Sequence, residues 1–274
     1  MKPKLLGIPT QLITKPLTQA LRTTAVFQLV EDARPNIAKR LQEQEFSAAL
    51  LSPLDYAKES SDYCIVPNVA VVSPEGNGSI VVRFREGIKN VKTLAVDPSY
   101  ASEIILTNII LAEAFELEPT IVPMIAQPQS MLHKADAALL VGDLALNAPG
   151  DSRNSIDIVE EWNEMTGLPY VHALWCGREN GLTKEEMHHL QSAMEKGVAG
   201  IEDIARECAF ENRDALQRYL ESFSYTLDDR AREGLAEFMK YLYYHGILPD
   251  VAEVKFFKQE EGRAGDLLAD ISAN

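Results

Sequence analysis

The sequence is poor in cysteine and contains no long apolar run. Its three cysteines, Cys64, Cys176 and Cys208, lie far apart and form no Cys-x-x-Cys pair, so neither a disulfide framework nor a zinc site is indicated. Polar residues interrupt the N-terminal segment before it reaches the apolar length of a signal peptide, and no later stretch approaches the roughly 20 residues of a membrane span. We therefore expect a soluble cytoplasmic protein with reduced thiols.

Positive charge is also scarce. The 26 lysines and arginines are outnumbered by 41 aspartates and glutamates, which gives a formal net charge of -15 over 274 residues. This charge repels the phosphates of nucleic acids and anionic lipid headgroups, so we expect neither nucleic acid nor membrane as a partner. A small anionic substrate is compatible with it, because local backbone N–H groups can outweigh a distant net field.

The signatures of several enzyme classes are missing as well. The chain has no Gly-x-Ser-x-Gly, no His-Glu-x-x-His and no P-loop, and no Gly-x-Gly-x-x-Gly follows a predicted strand. Common hydrolase, zinc-protease and nucleotide-binding sites are therefore not indicated.

Short β-type runs alternate with helical segments along the chain, a pattern typical of an α/β fold with a largely parallel sheet. We predict two α/β lobes with a hinge and an interlobe cleft: residues 1–87 with 166–274 form lobe 1, and residues 88–165 form lobe 2. A helix is predicted from Pro16 to about Val30. Ligands of such sheets bind at the carboxyl ends of strands, where loops and helix N-termini meet.

Small polar residues at predicted strand ends are the candidates for ligand binding. Ser99 and Ser102 lie where a polar turn leaves a strand and enters a helix, which is predicted to begin at Ser99. This geometry directs unpaired backbone N–H groups toward the end of the sheet and suits an anion. A plain serine helix cap is the competing interpretation, and both stay open. The other candidates at strand ends are Ser52, Ser79 and Asp143.

His172 is the one histidine whose position suggests a cleft. It alternates with Val171 and Ala173 in a predicted strand close to a connection between the lobes. A hydrogen-bonded structural histidine is the competing interpretation. The other four histidines fit helix ends or a solvated helix face; they are His133, His188, His189 and His245.

Two long segments resemble one known family. Residues 135–146, ADAALLVGDLAL, are similar to the "DAALLIGDxAL" segment of the menaquinone-biosynthesis family that contains chorismate dehydratase and dihydroxynaphthoate synthase. Residues 160–175, EEWNEMTGLPYVHALW, are similar to its "EEWxxxTGLPFVFAxW". Trp175 followed by Gly177 and Arg178 resembles the chorismate dehydratase branch. With further agreement in the tail and in the opening strand, the resemblance covers nearly the whole chain.

The resemblance implies a type II periplasmic-binding-protein-like fold and a carbon–oxygen lyase of the futalosine route to menaquinone. Its substrate would be chorismate, which loses water to give 3-[(1-carboxyvinyl)oxy]benzoate as the ring becomes aromatic. That chemistry needs no metal, flavin or nicotinamide, so we expect no cofactor. The alternatives are a noncatalytic binding protein and a related enzyme that acts on another small carboxylate.

The opening of the chain departs from the family pattern. Where the family has "YLNxxPL", this chain has the segment 11–17, QLITKPL, in which Ile13 replaces a pocket asparagine. A glutamine carries the same donor and acceptor as asparagine, so Gln11 can substitute for it, with Thr14 adding a hydroxyl. The competing interpretation is that both residues only cap the following helix.

The turn at residues 97–103 departs as well. The family's "DxSSRTS" appears as DPSYASE, in which Ser99 and Ser102 keep hydroxyls but Ala101 replaces the arginine. We therefore expect the two serines and the N–H groups of their helix to hold a substrate carboxylate without a dedicated arginine. No catalytic residue is predicted. The predicted substrate-binding residues are Gln11, Thr14, Ser52, Ser79, Ser99, Ser102, Asp143 and His172.

Overall fold

The computed structural model describes residues 3–147 and 152–258, which form an α/β protein with two five-stranded sheets. The strands are β1 (Lys4–Pro9), β2 (Phe27–Asp32), β3 (Ala48–Leu51), β4 (Tyr63–Ser73), β5 (Ile80–Phe84), β6 (Thr93–Val96), β7 (Thr120–Pro123), β8 (Ala137–Val141), β9 (Ser155–Asp157) and β10 (Tyr170–Arg178). The helices are α1 (Lys15–Thr18), α2 (Arg34–Gln42), α3 (Pro53–Lys58), α4 (Ala101–Phe115), α5 (Pro128–Lys134), α6 (Asp143–Asn147), α7 (Ile158–Thr166), α8 (Lys184–Ala199), α9 (Ile201–Glu207), α10 (Arg213–Glu221) and α11 (Asp229–Tyr244). The predicted α/β class is confirmed.

Each sheet has a parallel half and an antiparallel half. The first sheet has the strand order β2-β1-β3-β10-β4, in which β1 is parallel to β2 and β3 while β10 is antiparallel to β3 and β4. The second has the order β7-β6-β8-β5-β9, in which β6 is parallel to β7 and β8 while β5 is antiparallel to β8 and β9. We call the first sheet with its helices lobe 1 and the second lobe 2.

The chain passes between the two sheets twice, once after β4 and once before β10. Strand β5 lies in the sheet of lobe 2, with Ile80 opposite Val141 and Phe84 opposite Ala137. It therefore falls outside lobe 1, although its residues belong to the range 1–87 that the sequence analysis assigned there. By sheet membership, the first crossing lies between Ser73 and Ile80.

The predicted helix from Pro16 to about Val30 is wrong over its second half. Helix α1 and the 3-10 turn after it end at Thr23, and the chain then forms β2, an edge strand parallel to β1. Residues 26–30, VFQLV, are rich in β-branched and aromatic side chains, which favour a strand once a neighbouring edge offers hydrogen bonds. A sequence pattern does not show that edge.

Aromatic side chains join the lobes at the second crossing. Trp162 of α7 packs edge-on against Tyr170 of β10 and Phe238 of α11, with ring centroids 6.2 Å apart in each pair. All three side chains are buried. The lobes thus share part of one apolar core on the side of this crossing. Within the described ranges, no helix has both the length and the apolar character needed to cross a bilayer.

Helix α8 approaches α1 closely because residue 197 is a glycine. A Cβ atom added at Gly197 would lie 1.8 Å from the carbonyl oxygen of Pro16. Since α1 directly follows residues 11–14, this contact helps to set the position of Gln11 and Thr14 relative to the rest of lobe 1.

We expect Gly197→Ala to lower the free energy of unfolding by about 2 kcal/mol, because the added methyl group must push α8 away from α1. Urea-induced unfolding measures the change. Gly200→Ala is the matched control, since its added Cβ atom would meet no atom closer than 3.2 Å. Equal losses in the two variants would contradict this account of the helix contact.

Candidate functional site

The carboxyl ends of the parallel strands in the two sheets face each other across a cleft. After β1, the backbone N–H of Leu12 donates to the carboxylate oxygens of Asp143, which follows β8, at 3.3 and 3.4 Å. After β2, Nη1 of Arg34 donates to Oε1 of Glu103 in α4 at 2.8 Å. These two contacts join the lobes, and the space between the same strand ends is the candidate site.

The eight residues predicted as substrate-binding lie at or near these facing strand ends, in three places. Ser52, Ser99 and Ser102 line one cavity. Gln11, Ser79 and Asp143 surround the end of β8, where the N–H of Gly142 donates to the carbonyl oxygen of Ser79 and the Gln11 amide lies near Gly142. Thr14 is buried next to this place, with its hydroxyl directed to the carbonyl oxygens of Pro9 and Gln11. His172 lies beside the first crossing, hydrogen-bonded to Ser73. Contact of these residues with a ligand stays a prediction.

The cavity has a volume of about 370 Å³ and lies between α2 and α3 of lobe 1 and the turn 98–102 of lobe 2. Its size is within the range of roughly 300–1,000 Å³ that is usual for small-molecule sites. The charged residues that line it are Arg34, Lys39 and Lys58 with Asp55 and Glu59, three cations against two carboxylates. The lining thus offers cationic side chains to an anionic ligand, while the carboxylates of Glu103 and Glu43 balance the charges of Arg34 and Lys39.

The hydroxyl protons of Ser99 and Ser52 are already bound by carboxylates. Ser99 Oγ donates to Asp97 Oδ1 at 2.7 Å, and Ser52 Oγ donates to Asp55 Oδ2 at 2.6 Å. Ser99 does not begin α4, since Asp97 caps the 3-10 turn 98–100 and α4 begins at residue 101. The predicted helix start at Ser99 is wrong, because the aspartate two residues earlier takes the capping role.

Ser102 differs from the other two serines in its hydrogen-bond partner, which is a phenol instead of a carboxylate. Its side chain is buried, and its Oγ lies 3.4 Å from the hydroxyl of Tyr170, at the start of β10 in lobe 1. Burial raises the pKa of Tyr170, so this phenol stays protonated. Ser102 and Tyr170 therefore form a neutral hydroxyl pair between the lobes, and Ser102 also lines the cavity.

Asp143 is a carboxyl group with a raised pKa. Burial raises this pKa from 3.8 to about 6, against the lowering effect of the N–H of Leu12. Near it, the hydroxyls of Ser79 and Tyr219 are buried and have no hydrogen-bond partner among the described residues. The pKa of Tyr219 is raised by burial and then by the negative charge of Asp143. Buried hydroxyls without hydrogen-bond partners are uncommon in folded proteins, and a polar ligand would supply the missing partners.

His172 is buried and belongs to a hydrogen-bonded chain at the first crossing. Its Nε2 lies 2.7 Å from Ser73 Oγ, which also accepts a hydrogen bond from Asn77 Nδ2 at 2.9 Å. Burial, followed by the charge of Arg34, lowers the pKa of His172 to about 3. The imidazole is therefore neutral near pH 7 and is a weak proton acceptor.

The altered opening segment divides between core and cleft. Ile13 is 4% exposed and packs in the core of lobe 1. Thr14 Oγ1 donates to the carbonyl oxygen of Gln11 at 2.8 Å. Among the residues that the structure describes, neither Gln11 nor Thr14 caps a helix through its side chain. The Gln11 side chain instead points toward lobe 2, with Nε2 3.9 Å from where a Cβ atom of Gly142 would lie.

Several cleft residues were missed by the sequence analysis. Arg34 is the clearest case. One residue separates it from the end of β2, and β2 was predicted as helix. With that strand end hidden, nothing marked Arg34 as a cleft residue. Glu103, Tyr170 and Tyr219 carried no separate signal. In the described part of the chain, no group of three or more His, Cys, Asp or Glu side chains could hold a metal ion.

Comparisons with known proteins identify the family of the chain and its fold. A model of a family described as menaquinone biosynthesis matches residues 6–244. The chain is 24% identical over 271 residues to a chorismate dehydratase of Thermus thermophilus, covering 88% of this chain and 96% of the relative.

Two solved structures show the fold. A protein of Archaeoglobus fulgidus has a TM-score of 0.70 at 18% identity, covering 90% of this chain and 99% of that one. A Candida albicans protein with the generic periplasmic binding protein structural fold has a TM-score of 0.62 at 11% identity, covering 96% and 99%. The predicted periplasmic-binding-protein-like fold is confirmed.

We expect Asp143→Asn to stabilise the protein above pH 6 by about 1–2 kcal/mol. The folded protein holds the Asp143 proton more tightly than the unfolded chain, so this carboxyl lowers stability progressively as the pH rises from about 4 to about 6. A shift of about two units corresponds to roughly 3 kcal/mol, which partial solvation reduces. The asparagine keeps an acceptor oxygen for Leu12 and removes the charge.

Urea unfolding at several pH values measures this effect. Asp136→Asn is the contrasting control, since hydrogen bonds from Thr93 and then Arg85 lower the pKa of Asp136 to about 2. Its replacement should lower stability above pH 4, the opposite direction. Identical pH profiles for the natural protein and Asp143→Asn would contradict the burial of this carboxyl.

Proposed function

The chain belongs to the menaquinone-biosynthesis family, and on that premise we propose that it removes water from chorismate to give 3-[(1-carboxyvinyl)oxy]benzoate. The observation that carries the proposal is the extent of the family match, because residues 6–244 include every cleft residue described above. The dehydration of chorismate is taken from the name of the Thermus relative, and the product is the one that the family resemblance implies. The substrate is then a small anion, in keeping with the three cationic side chains that line the cavity.

The reaction asks little of the protein in covalent terms. A proton leaves a ring carbon, a hydroxyl leaves the neighbouring carbon, and the two depart as water while the ring becomes aromatic. The protein has to hold two carboxylates, orient the ring and keep bulk water away. The cationic side chains that line the cavity support that role, as do the hydroxyls of Ser79 and Tyr219, which have no hydrogen-bond partner among the described residues.

Three groups are candidates for accepting the proton: His172, Asp143 and a carboxylate of the substrate. His172 is a poor one, since its lowered pKa makes it a weak base. We propose that a carboxylate of the substrate takes the proton, as an intramolecular base held by the cleft. Asp143, whose pKa lies near 6, is the protein group that competes for this role. Turnover that survives in Asp143→Asn supports the substrate carboxylate, and complete loss with binding retained supports Asp143.

A noncatalytic binding protein is the second candidate. Its support is that this fold also occurs in binding proteins, and that Ile13 occupies the position of a family pocket asparagine while packing in the core. A relative that acts on another small carboxylate would have the same features. Both alternatives retain the anionic ligand and differ from the first proposal in chemistry.

The direct test mixes purified protein with chorismate and follows the aromatic product by ultraviolet absorbance and mass spectrometry. We expect a product lighter than chorismate by one water, formed in proportion to protein concentration. Equilibrium dialysis of chorismate is run in parallel. Binding without turnover would favour the noncatalytic protein, and absence of binding would point to another carboxylate.

We expect Gln11→Ala to lower kcat/KM for chorismate by about tenfold or more, because an amide facing the cleft is lost while folding is unaffected. Gln28→Ala, an exposed glutamine on β2, is the matched control and should leave kcat/KM unchanged.

Ile13→Asn should lower the free energy of unfolding by about 2–4 kcal/mol, since it places an amide in the core. If Ile13→Asn instead created activity in an inert protein, the proposed reaction would be wrong for this chain.

A further inference from the structure

Arg34 reaches from lobe 1 to lobe 2. It is the first residue of α2, and its guanidinium crosses the cleft to Glu103 with Nη1 2.8 Å from Oε1. The same guanidinium lies over the ring of Tyr100, with its carbon 5.6 Å from the ring centroid. The ion pair is buried, with 12% of the Arg34 side chain and 3% of the Glu103 side chain exposed. An ion pair and an aromatic face thus hold the guanidinium in one orientation.

Most hydrogen-bond donors of this guanidinium remain available. A guanidinium carries five N–H donors, and to the described residues it makes a single hydrogen bond, the one to Glu103. Arg34 also lines the cavity. Burial lowers and the Glu103 carboxylate raises the pKa of Arg34, with a net rise, so the group stays charged. A fixed, charged fork at the wall of a cavity is the arrangement that binds carboxylates in two-point contact.

The serines are less suited to that task. The hydroxyl protons of Ser52 and Ser99 are bound by Asp55 and Asp97, so those groups offer a ligand oxygen no donor. Ala101, where the sequence comparison expected an arginine, lines the same cavity from lobe 2. Arg34 enters that cavity from lobe 1. The guanidinium missing from one wall is therefore present on the other.

We propose that Arg34 binds the carboxylate of the cleft ligand, and that Glu103 is a positioning residue that holds the Arg34 guanidinium across the cleft. Because the carboxylate meets a residue of lobe 1 whose partner is in lobe 2, binding also favours the closed arrangement of the lobes. The second carboxylate oxygen, Oε2 of Glu103, is buried and has no partner among the described residues. It remains free to accept a hydrogen bond from a ligand hydroxyl. The proposal rests on the proposed function in taking a carboxylate as the ligand.

The test measures binding of chorismate, of 3-hydroxybenzoate and of methyl 3-hydroxybenzoate by calorimetry. We expect Arg34→Gln to weaken binding of both acids by tenfold or more, the size of a charge-assisted hydrogen bond, and to change binding of the uncharged ester less than twofold. Arg34→Lys keeps the charge without the two-pronged guanidinium, so its affinity for the acids should lie between those of the natural protein and Arg34→Gln. A general structural defect would weaken the acid and the ester alike.

Arg40→Gln is the matched control. Arg40 lies on the same helix and forms ion pairs with Asp32 and Glu45, but it does not line the cavity. The Arg40→Gln variant should bind both acids with an affinity within twofold of that of the natural protein. Glu103→Ala should weaken acid binding several-fold, and Glu103→Gln, which keeps an acceptor for Nη1, should restore it. Circular dichroism of each variant verifies folding. If Arg34→Gln does not fold, acid binding by Arg34→Lys, Glu103→Ala and Glu103→Gln tests the proposal.

The outcomes separate this inference from the proposed function. Binding of chorismate that depends on Arg34 but leads to no turnover would support the role of Arg34 and contradict the proposed dehydratase reaction. Turnover by the natural protein together with unchanged acid binding in Arg34→Gln would reject Arg34 and sustain the dehydratase. If the natural protein bound neither acid, or bound acid and ester equally, the assignment of Arg34 would be overturned.

Discussion

The cleft depends on one geometric constraint: the parallel halves of the two sheets direct their carboxyl ends toward each other. A parallel sheet collects loops and helix N-termini at one edge, and two such edges opposed across a gap enclose polar groups that a single sheet would leave in solvent. The chain reaches this arrangement by crossing twice between the sheets. At one crossing Trp162, Tyr170 and Phe238 pack together, and at the other His172, Ser73 and Asn77 are hydrogen-bonded. The first set joins α7 to lobe 1, and the second fixes the start of the other crossing against β10.

Hydrogen bonds cross the gap, and two of them involve a charged group. Arg34 with Glu103, and Leu12 with Asp143, form only when the lobes are together. When the lobes separate, water solvates the same groups, so desolvation offsets much of the gain from closing. Closure stabilised in this balanced way responds to a ligand that adds further contacts to both lobes. The apolar core around Trp162 lies at the second crossing, and the polar contacts lie across the cleft.

Much of the fold was predictable, because its elements have local signals. Helix α3 begins with Pro53 after a serine cap, and buried strands such as β3 and β8 are short apolar runs. Strand β2 was not predicted, because the strand preference of Val26, Phe27 and Val30 takes effect only where β1 offers an edge for hydrogen bonds. Because Arg34 lies just beyond that strand, the sequence did not indicate that Arg34 belongs to the site. The candidate serines were placed at the right edge of the sheets, but their engagement by Asp55 and Asp97 depends on side-chain geometry that no spacing reveals.

The central claim is that a carboxylate ligand binds between the facing strand ends, against Arg34. A crystal structure of the protein with the reaction product, 3-[(1-carboxyvinyl)oxy]benzoate, tests it most directly. The account predicts density for the ligand between the lobes, with a carboxylate oxygen within hydrogen-bond distance of the Arg34 guanidinium and with the contacts to Glu103 and Asp143 in place. A ligand bound outside the cleft, or one in the cleft with both carboxylates directed away from Arg34, would contradict it.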